Sequence, residues 1–263
     1  MTTQEPYLPI HVGKELSNLE LNIIGDNTGD NISFKNQNYC ELTGMYWAWK
    51  NLKNVDVIGL CHYRRYFDFY NQCKPIIPVT EFPVEDFNKL NLSFPSDILN
   101  RITKGTFITP QINNIKFTLQ QDYRMMHVSE DFKILEKVFL ETQSQIYKDA
   151  FHEIMYRNNK FIPCNMFIMN WGDFDNYCTW LFDVLSKVED NVNISNYNSY
   201  QKRIFGFMSE RLFNVYIRAN NIRTLQKPVI FFTENNIKYN ILSLFMYIIR
   251  ALRNNICVKL LNR

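Results

Sequence analysis

Short apolar runs of strand length alternate along this chain with longer segments of helical periodicity. The strand-like runs cover residues 55–61 (VDVIGLC), 105–110, 161–171 and 227–233. This alternation is typical of an α/β domain in which helices pack on a sheet. No Ser/Gly-rich or Pro-rich tract and no internal repeat interrupts the 263 residues, so we expect a single α/β domain.

Four segments show the spacing of helices, at residues 39–52, 129–142, 173–187 and 200–219. The last segment has two distinct sides. Its apolar stripe consists of Ile204, Met208, Leu212, Val215 and Ala219, and the residues away from that stripe include Arg203, Glu210 and Asn214. We therefore expect a helix that combines a core-facing side with a polar side available for function.

The composition excludes several classes of protein. With 46% hydrophobic and 15% aromatic residues, the chain has material for a large core. The six cysteines form no C-x-x-C pair, which argues against a structural zinc site. Residues 1–9 lack the basic and apolar regions of a signal peptide, so we expect a cytoplasmic protein with free thiols.

Positive charge is concentrated at the C-terminal end. The whole chain carries +3 and residues 238–263 carry five cations and no acid, so the remainder carries −2 and is not a basic nucleic-acid binder. Residues 241–249 are apolar but too short to span a membrane. We expect residues 235–263 to form a basic amphipathic helical tail on an anionic membrane surface, beside a domain of residues 1–234. The alternative is a terminal helix packed on the core.

A polar and aromatic cluster, HYRRYF at residues 62–67, directly follows the apolar run at 55–61. At the end of a buried strand, Arg64 and Arg65 would lie in the crevice where α/β sheets bind ligands. Guanidinium groups match phosphate oxygens with paired hydrogen bonds. The alternative is that one arginine pairs with a buried carboxylate while the other is solvated, and the pattern leaves both interpretations open.

Three further polar segments each allow a structural and a functional interpretation. Residues 26–31 (DNTGDN) have the composition of a surface turn, or of a loop that binds a ligand hydroxyl or a cation. Glu130 and Asp131 either stabilise the first turn of a helix or supply a general base. Asn165 interrupts an apolar strand, where a buried amide either bonds to the backbone or contacts a ligand.

Seven sequence blocks follow one another in order between residues 7 and 217. They are residues 7–13 (YLPIHVG), 25–51 (GDNTGDNISFKNQNYCELTGMYWAWKN), 58–67 (IGLCHYRRYF), 127–132 (HVSEDF), 165–169 (NMFIM), 174–185 (FDNYCTWLFDVL) and 203–217 (RIFGFMSERLFNVYI). Together they resemble a bacterial family of capsular and exopolysaccharide glycosyltransferases, long catalogued only as a domain of unknown function. Some members of that family look like galactofuranosyltransferases.

The resemblance implies a fold similar to the GT-A type, with one nucleotide-binding sheet. The implied activity is transfer of a hexose from a nucleotide-sugar donor, UDP-galactofuranose being one candidate, to a lipid-linked oligosaccharide in capsular or exopolysaccharide biosynthesis. We expect inversion at the sugar carbon. Such an enzyme would work in the cytoplasm, peripherally on the inner face of the cell membrane.

The resemblance also implies functional positions. The expected catalytic base is Asp131, with Glu130 as the next candidate. The expected donor-binding residues are Asp26, Asn31, His62, Tyr63, Arg64, Arg65, Arg203 and Arg211. The residues expected to contact the acceptor, or to support those that do, are Asn36, Glu41, Trp47, Asn165 and Glu210.

Two departures from the family pattern bear on these expectations. No clear Asp-x-Asp motif of the GT-A type is present, so a Mn²⁺ or Mg²⁺ cofactor is an open question, and arginines could neutralise the diphosphate directly. Family members usually have a further strand before the YLPIHVG block, and only six residues precede it here. That difference supports the alternative of a catalytically inactive scaffold in a polysaccharide-assembly complex. A phosphoryl-transfer enzyme is disfavoured because no P-loop is present.

Overall fold

The computed structural model describes residues 5–73 and 78–234, together with Ile249 and Leu252. The tail expected at residues 235–263 lies, apart from those two positions, outside the described residues. No helix in the described part of the chain is long and apolar enough to cross a membrane.

Strands and helices alternate through the described residues. The strands are β1 (Ile10–His11), β2 (Ile24–Gly25), β3 (Val57–Leu60), β4 (Arg65–Phe67), β5 (Val79–Pro83), β6 (Thr106–Pro110), β7 (Asn113–Asn114), β8 (Lys160–Phe161), β9 (Phe167–Asn170), β10 (Arg223–Lys227) and β11 (Val229–Thr233). The α-helices are α1 (Asn36–Tyr39), α2 (Leu42–Asn51), α3 (Leu119–Met126), α4 (Ser129–Thr142), α5 (Gln145–His152), α6 (Trp171–Glu189) and α7 (Ile204–Ala219). Short 3-10 turns cover Lys14–Leu16, Ser33–Lys35, Val84–Lys89, Ser96–Arg101 and Gln201–Arg203, and a π turn, Glu153–Arg157, extends α5.

The central sheet has the order β10-β6-β9-β3. Strands β10 and β6 are parallel, while β9 runs antiparallel to both β6 and β3. In the β3/β9 pair, Val57 lies opposite Asn170 and Leu60 lies opposite Phe167. The carboxyl end of β3 therefore meets the start of β9, and the segments that flank this end of the pair come together.

A second sheet, of order β4-β11-β5, is continuous with the first through the chain. Only Pro228 separates β10 from β11, and its carbonyl accepts a hydrogen bond from Asp68 N at 2.8 Å. Proline has no N–H to donate to a strand ladder, so pairing stops there and resumes with different partners. The single strand predicted at residues 227–233 is in fact the end of one strand and the whole of the next.

The main core lies between the central sheet and helices α4, α6 and α7. The stripe predicted on α7 is buried: Ile204, Met208, Leu212 and Val215 are fully enclosed. Helix α6 begins at Trp171 because the Asn170 side chain accepts a hydrogen bond from Asp173 N at 3.0 Å, which caps the helix. The α/β class expected from the sequence is confirmed by these layers.

The strand predicted at residues 161–171 is interrupted. Strand β8 ends at Phe161 and β9 begins at Phe167, and between them Cys164 and Asn165 adopt left-handed backbone angles with φ of 78° and 48°. Pro163 and Asn165 are the residues of this run that signal such a turn, because proline cannot donate to a strand ladder and asparagine tolerates left-handed angles. The interruption places the Asn165 side chain beside α7 rather than on a sheet face.

Candidate functional site

The N-termini of two helices meet at the carboxyl end of β3. Glu41 immediately precedes α2 and Arg203 immediately precedes α7. The Arg203 Nε donates to Cys40 Sγ at 3.4 Å, which ties the two helix starts together. Gly206 allows this approach, because a Cβ there would lie only 3.2 Å from Cys40 Sγ. Unpaired backbone N–H groups at helix starts favour negative charge nearby.

The left-handed turn at residues 164–165 forms one wall of this region. The Asn165 amide donates from Nδ2 to Glu41 Oε1 at 2.6 Å and to Ser209 Oγ at 2.8 Å. Its Oδ1 is buried and has no hydrogen-bond partner among the described residues. A buried acceptor of that kind can be satisfied by a hydroxyl or N–H group of a bound molecule.

Helix α7 holds the same turn from the other side. Glu210 Oε1 accepts a hydrogen bond from Cys164 N at 3.0 Å, and Asn214 bonds to both the N–H and the carbonyl of Ile162. These contacts satisfy backbone groups that have no strand partner in the interruption. The polar side of α7 predicted from the sequence therefore supports the turn.

The turn that follows β3 adds His62 and Arg65 to the side chains described above. The two residues pair through both backbone hydrogen bonds, at 3.3 and 3.0 Å, so the chain reverses tightly between them. His62 Nε2 lies 2.6 Å from the Cys164 carbonyl, to which it must donate. Burial lowers the pKa of His62, against the opposing charge of Glu41, so the ring is neutral at pH 7. The Arg65 guanidinium lies 4.8 Å from the Phe231 ring centroid.

Carboxylates and guanidinium groups lie close enough here to influence one another's charge. Burial raises the pKa of Glu210 to about 7. Arg211 and Arg65 lower that pKa, whereas the nearby charge of Glu41 raises it. We call the set Glu41, His62, Arg65, Asn165, Arg203 and Glu210 the polar crevice. It can bind an anion through its arginines and take up a proton through a carboxylate.

Comparison with known proteins places the chain in a family. Residues 1–221 match the family described as a domain of unknown function, DUF4422. The chain belongs to this family. A solved structure described as the apo structure of WbbM, a bifunctional glycosyltransferase, is similar with a TM-score of 0.76 and 30% sequence identity. The match covers 89% of this chain and 44% of that chain, so this protein spans less than half the length of WbbM. None of the curated proteins compared matches the chain.

Within this member of the DUF4422 family, the two consecutive arginines have different surroundings. Arg64 Nη2 forms an ion pair with Glu234 Oε1 at 2.7 Å, and its guanidinium lies 5.0 Å from the Tyr63 ring. Tyr63 itself is 66% exposed. Arg65 instead belongs to the polar crevice, so the structure joins only one arginine of the pair to the other candidate residues.

Two of the predicted positions, Asp26 and Asn31, stabilise the N-terminal loops. The Asp26 carboxylate is fully buried and accepts hydrogen bonds from Gly13 N at 2.9 Å, Lys14 N at 3.1 Å and Ser33 Oγ. Asn31 bonds to backbone within its own turn, at Gly29 O and Ser33 N. In this arrangement residues 26–31 act as a structural turn that ties residues 10–14 to the domain.

Trp47 and Asn36 also form hydrogen bonds to neighbouring segments. The indole of Trp47 is buried and donates to Thr28 Oγ1 at 2.9 Å, which anchors the same N-terminal turn to α2. Asn36 donates to Cys40 O at 2.8 Å and to Thr43 Oγ1 at 3.0 Å. Cys40 has a left-handed φ of 52°, so Asn36 stabilises the bend from which Glu41 extends.

The three other predicted charged residues have partners elsewhere. Asp131 is 2% exposed and accepts a hydrogen bond from the Tyr197 hydroxyl at 2.6 Å; burial raises its pKa. Glu130 is exposed and pairs with Lys133 at 2.8 Å. The Arg211 side chain is 4% exposed and donates to Asp122 Oδ2 at 2.8 Å.

Sequence reasoning missed two contributors, Cys40 and Ser209. Cys40 contacts Arg203, and Ser209 receives the Asn165 amide and donates to Gly206 O at 2.9 Å. Neither residue stands out by its type. The one available signal is the spacing of Arg203 and Glu210, seven residues apart and therefore on one side of a helix.

The described residues contain no cluster of three or more His, Cys, Asp or Glu side chains that could hold a metal ion. Asp173 and Asp175 have Asp-x-Asp spacing, but they lie near the start of α6, beyond the far end of the β3/β9 pair. Asp173 accepts from Gly105 N at 2.7 Å and Asp175 from Trp49 Nε1 at 2.7 Å. These contacts give both carboxylates structural partners.

Proposed function

We propose that this protein is a glycosyltransferase that uses a nucleotide-sugar donor. The observation that carries the proposal is the polar crevice, in which Arg65 and Glu210 lie near Glu41 and Arg203, the residues that precede two helix N-termini. Membership of the DUF4422 family and the structural similarity to a bifunctional glycosyltransferase support it.

The chemistry of glycosyl transfer matches those groups. The leaving nucleoside diphosphate carries developing negative charge, which two guanidinium groups and the helix dipoles would stabilise. Arginine suits this role because its planar fork can bond two phosphate oxygens at once. A neighbouring carboxylate would receive the proton of the attacking hydroxyl.

The finer parts of the proposal rest on the family resemblance. The donor to test first is UDP-galactofuranose, the acceptor is a lipid-linked oligosaccharide, and the product belongs to capsular or exopolysaccharide biosynthesis. We propose hexosyl transfer with inversion, on the inner face of the cell membrane. Whether Mn²⁺ or Mg²⁺ assists is tested by adding each ion to the binding and transfer measurements described next.

The experiment compares Arg65→Ala with Arg64→Ala, a matched control one residue away. A charge-assisted hydrogen bond to a phosphate is worth about 1.5–3 kcal/mol, so Arg65→Ala should weaken UDP binding roughly tenfold or more. Arg64→Ala should stay within about threefold of wild type, because that guanidinium pairs with Glu234 at the surface. Isothermal titration calorimetry with UDP measures both, and Arg65→Lys should rescue only part of the loss.

Two outcomes would contradict the proposal. If folded Arg65→Ala binds UDP as tightly as wild type, Arg65 has a structural role and the diphosphate site lies elsewhere. If the wild-type protein binds no uridine nucleotide and forms no product from UDP-galactofuranose, the inactive-scaffold alternative is favoured. Product mass on a lipid-like acceptor distinguishes transfer from simple binding.

A further inference from the structure

Two carboxylates of the polar crevice, Glu41 and Glu210, each have one oxygen held by a hydrogen bond from another described residue. Glu41 Oε1 accepts the Asn165 amide at 2.6 Å. Glu210 Oε1 accepts Cys164 N at 3.0 Å, and among the described residues no hydrogen bond reaches its second oxygen. Glu210 as a whole residue is half-buried, and its second oxygen is the one left for the hydroxyl of a bound molecule.

We propose that Glu210 is the catalytic residue that accepts the proton of the acceptor hydroxyl, an inference that rests on the proposed glycosyltransferase function. The hydroxyl oxygen forms a bond to the anomeric carbon while the bond from that carbon to the diphosphate oxygen breaks. The electron pair of the broken bond leaves with the nucleoside diphosphate, and the hydroxyl proton passes to the Glu210 carboxylate.

The fixed position of Glu210 suits this role. Its backbone lies in the middle of α7, and the bond from Cys164 N holds the carboxylate in one orientation. It shares the crevice with Arg65, the arginine expected to hold the leaving diphosphate, and with the unpartnered Asn165 Oδ1. A proton acceptor must lie within hydrogen-bond reach of the hydroxyl that attacks beside the leaving group.

Asp131, the base expected from the sequence, lacks this setting. The groups that act on its pKa are Tyr197 and Glu130, whereas Arg211, Glu41 and Arg65 act on Glu210. The Tyr197 hydroxyl already donates to the Asp131 carboxylate at 2.6 Å. Among the described residues, no arginine of the polar crevice is a partner of Asp131. Asp131 therefore lacks a neighbouring arginine that would hold the diphosphate of a nucleotide sugar close to it.

The protonation of Glu210 also suits a base at neutral pH. A pKa of about 7 leaves a substantial fraction ionised at pH 7 and gives the carboxylate more affinity for a proton than an ordinary glutamate has. The charged and titratable groups that face it are Arg211 on α7, Glu41 before α2, Arg65 in β4, and the thiols of Cys40 and Cys164. Of these groups, Glu41 raises the pKa of Glu210. Replacing Glu41 by glutamine removes this effect and leaves both arginines in place.

The test compares Glu210→Gln with wild type in UDP calorimetry and in transfer from UDP-galactofuranose to a lipid-like acceptor. We expect UDP affinity to change by less than about threefold and kcat to fall about 10²-fold or more. The wild-type rate should increase with pH through about pH 7, and the residual rate of Glu210→Gln should lose that increase. Glu41→Gln should move the increase to lower pH, because it removes the charge that holds the pKa of Glu210 up.

The outcomes separate the inference from the function on which it rests. Transfer by the wild-type protein together with a Glu210→Gln rate within threefold, or with an unchanged pH profile, would overturn the role of Glu210 and leave the proposed function intact. An unshifted profile in Glu41→Gln would equally count against it. A wild-type protein that neither binds UDP nor transfers sugar would overturn both.

Discussion

At the scale of single residues, neighbours in the sequence have opposite surroundings. Arg64 pairs with Glu234 at the surface while Arg65 lies with the polar crevice, because Arg64 belongs to the tight turn that begins at His62 whereas Arg65 is the first residue of β4. On α7, Glu210 holds the Cys164 turn whereas Arg211 is buried against Asp122, about 100° around the helix. Residue type alone does not distinguish Arg64 from Arg65.

Asn165 offers a prediction at this scale. Asn165→Gly keeps the left-handed backbone but removes the amide that bonds to Glu41 and Ser209, so it should lower the free energy of unfolding by about 1–3 kcal/mol. Asn165→Ala removes the same amide and also places a Cβ at φ 48°, so we expect it to be about 1 kcal/mol less stable than the glycine variant. Urea unfolding of both variants measures the difference.

The glycine variant serves as the control for backbone strain in this pair. Equal stability of the two variants would mean that the turn relaxes and that its left-handed geometry carries no cost. A wild-type stability in both would mean that the Asn165 amide contributes no net hydrogen bonding.

At the scale of elements, α7 organises the molecule. Its apolar stripe fills the main core, its N-terminus meets Cys40 and Arg203, and its polar side supports the interruption between β8 and β9. A part-buried ion pair links the helix to α3: Arg211 Nη2 donates to Asp122 Oδ2, and Arg211 Nη1 donates to Phe207 O at 3.0 Å. Helix α7 thus connects the core, the polar crevice and, through this pair, α3.

The Arg211–Asp122 pair gives a prediction for helix packing. Asp122→Ala leaves a guanidinium buried without its carboxylate and should cost about 3 kcal/mol in the free energy of unfolding. A double variant, Asp122→Leu with Arg211→Met, removes both charges and should be closer to wild type than the single variant. Chemical denaturation of the three proteins checks the order, and a double variant less stable than Asp122→Ala would contradict it.

At the scale of the whole molecule, two sheets share one continuous run of chain. Residues 223–233 pass from the central sheet to the second sheet at Pro228, and β4 in the second sheet carries Arg65 toward the central one. The polar crevice therefore collects residues from β4, α7 and the turns before α2 and β9. These parts are up to 169 residues apart along the chain, from Glu41 to Glu210.

The C-terminal charge gives a prediction for the whole protein. Residues 238–263 contain five cations and no acid, and each cation near an anionic surface contributes about 1 kcal/mol. A variant that lacks residues 235–263 should lose binding to vesicles that contain phosphatidylserine and remain folded by circular dichroism. Neutral phosphatidylcholine vesicles are the control. Precipitation of the truncated protein, together with an intact protein that ignores vesicles, would mean that the tail packs on the core.

Local patterns in the sequence were sufficient to predict the α/β class and the helices α4, α6 and α7, because apolar periodicity reports which side of an element is buried. The family blocks also indicated the DUF4422 family, and the HYRRYF cluster contains His62 and Arg65 of the polar crevice. Local patterns did not show that strand pairing stops at residues 162–166 and at Pro228, or that the strands on either side of each break pair with different strands. Those depend on backbone hydrogen bonds to distant elements.

Only the tertiary structure decided which candidate residues lie together. Asp26, Asn31 and Trp47 hold loops, and Asp131 bonds to Tyr197, although each is of a type that chemistry could use. Glu41, Arg65, Asn165, Arg203 and Glu210 form one crevice because two helix N-termini and a left-handed turn converge there. A sequence records side-chain chemistry, whereas proximity and burial, which set charge interactions and pKa values, arise from packing between segments far apart in the chain.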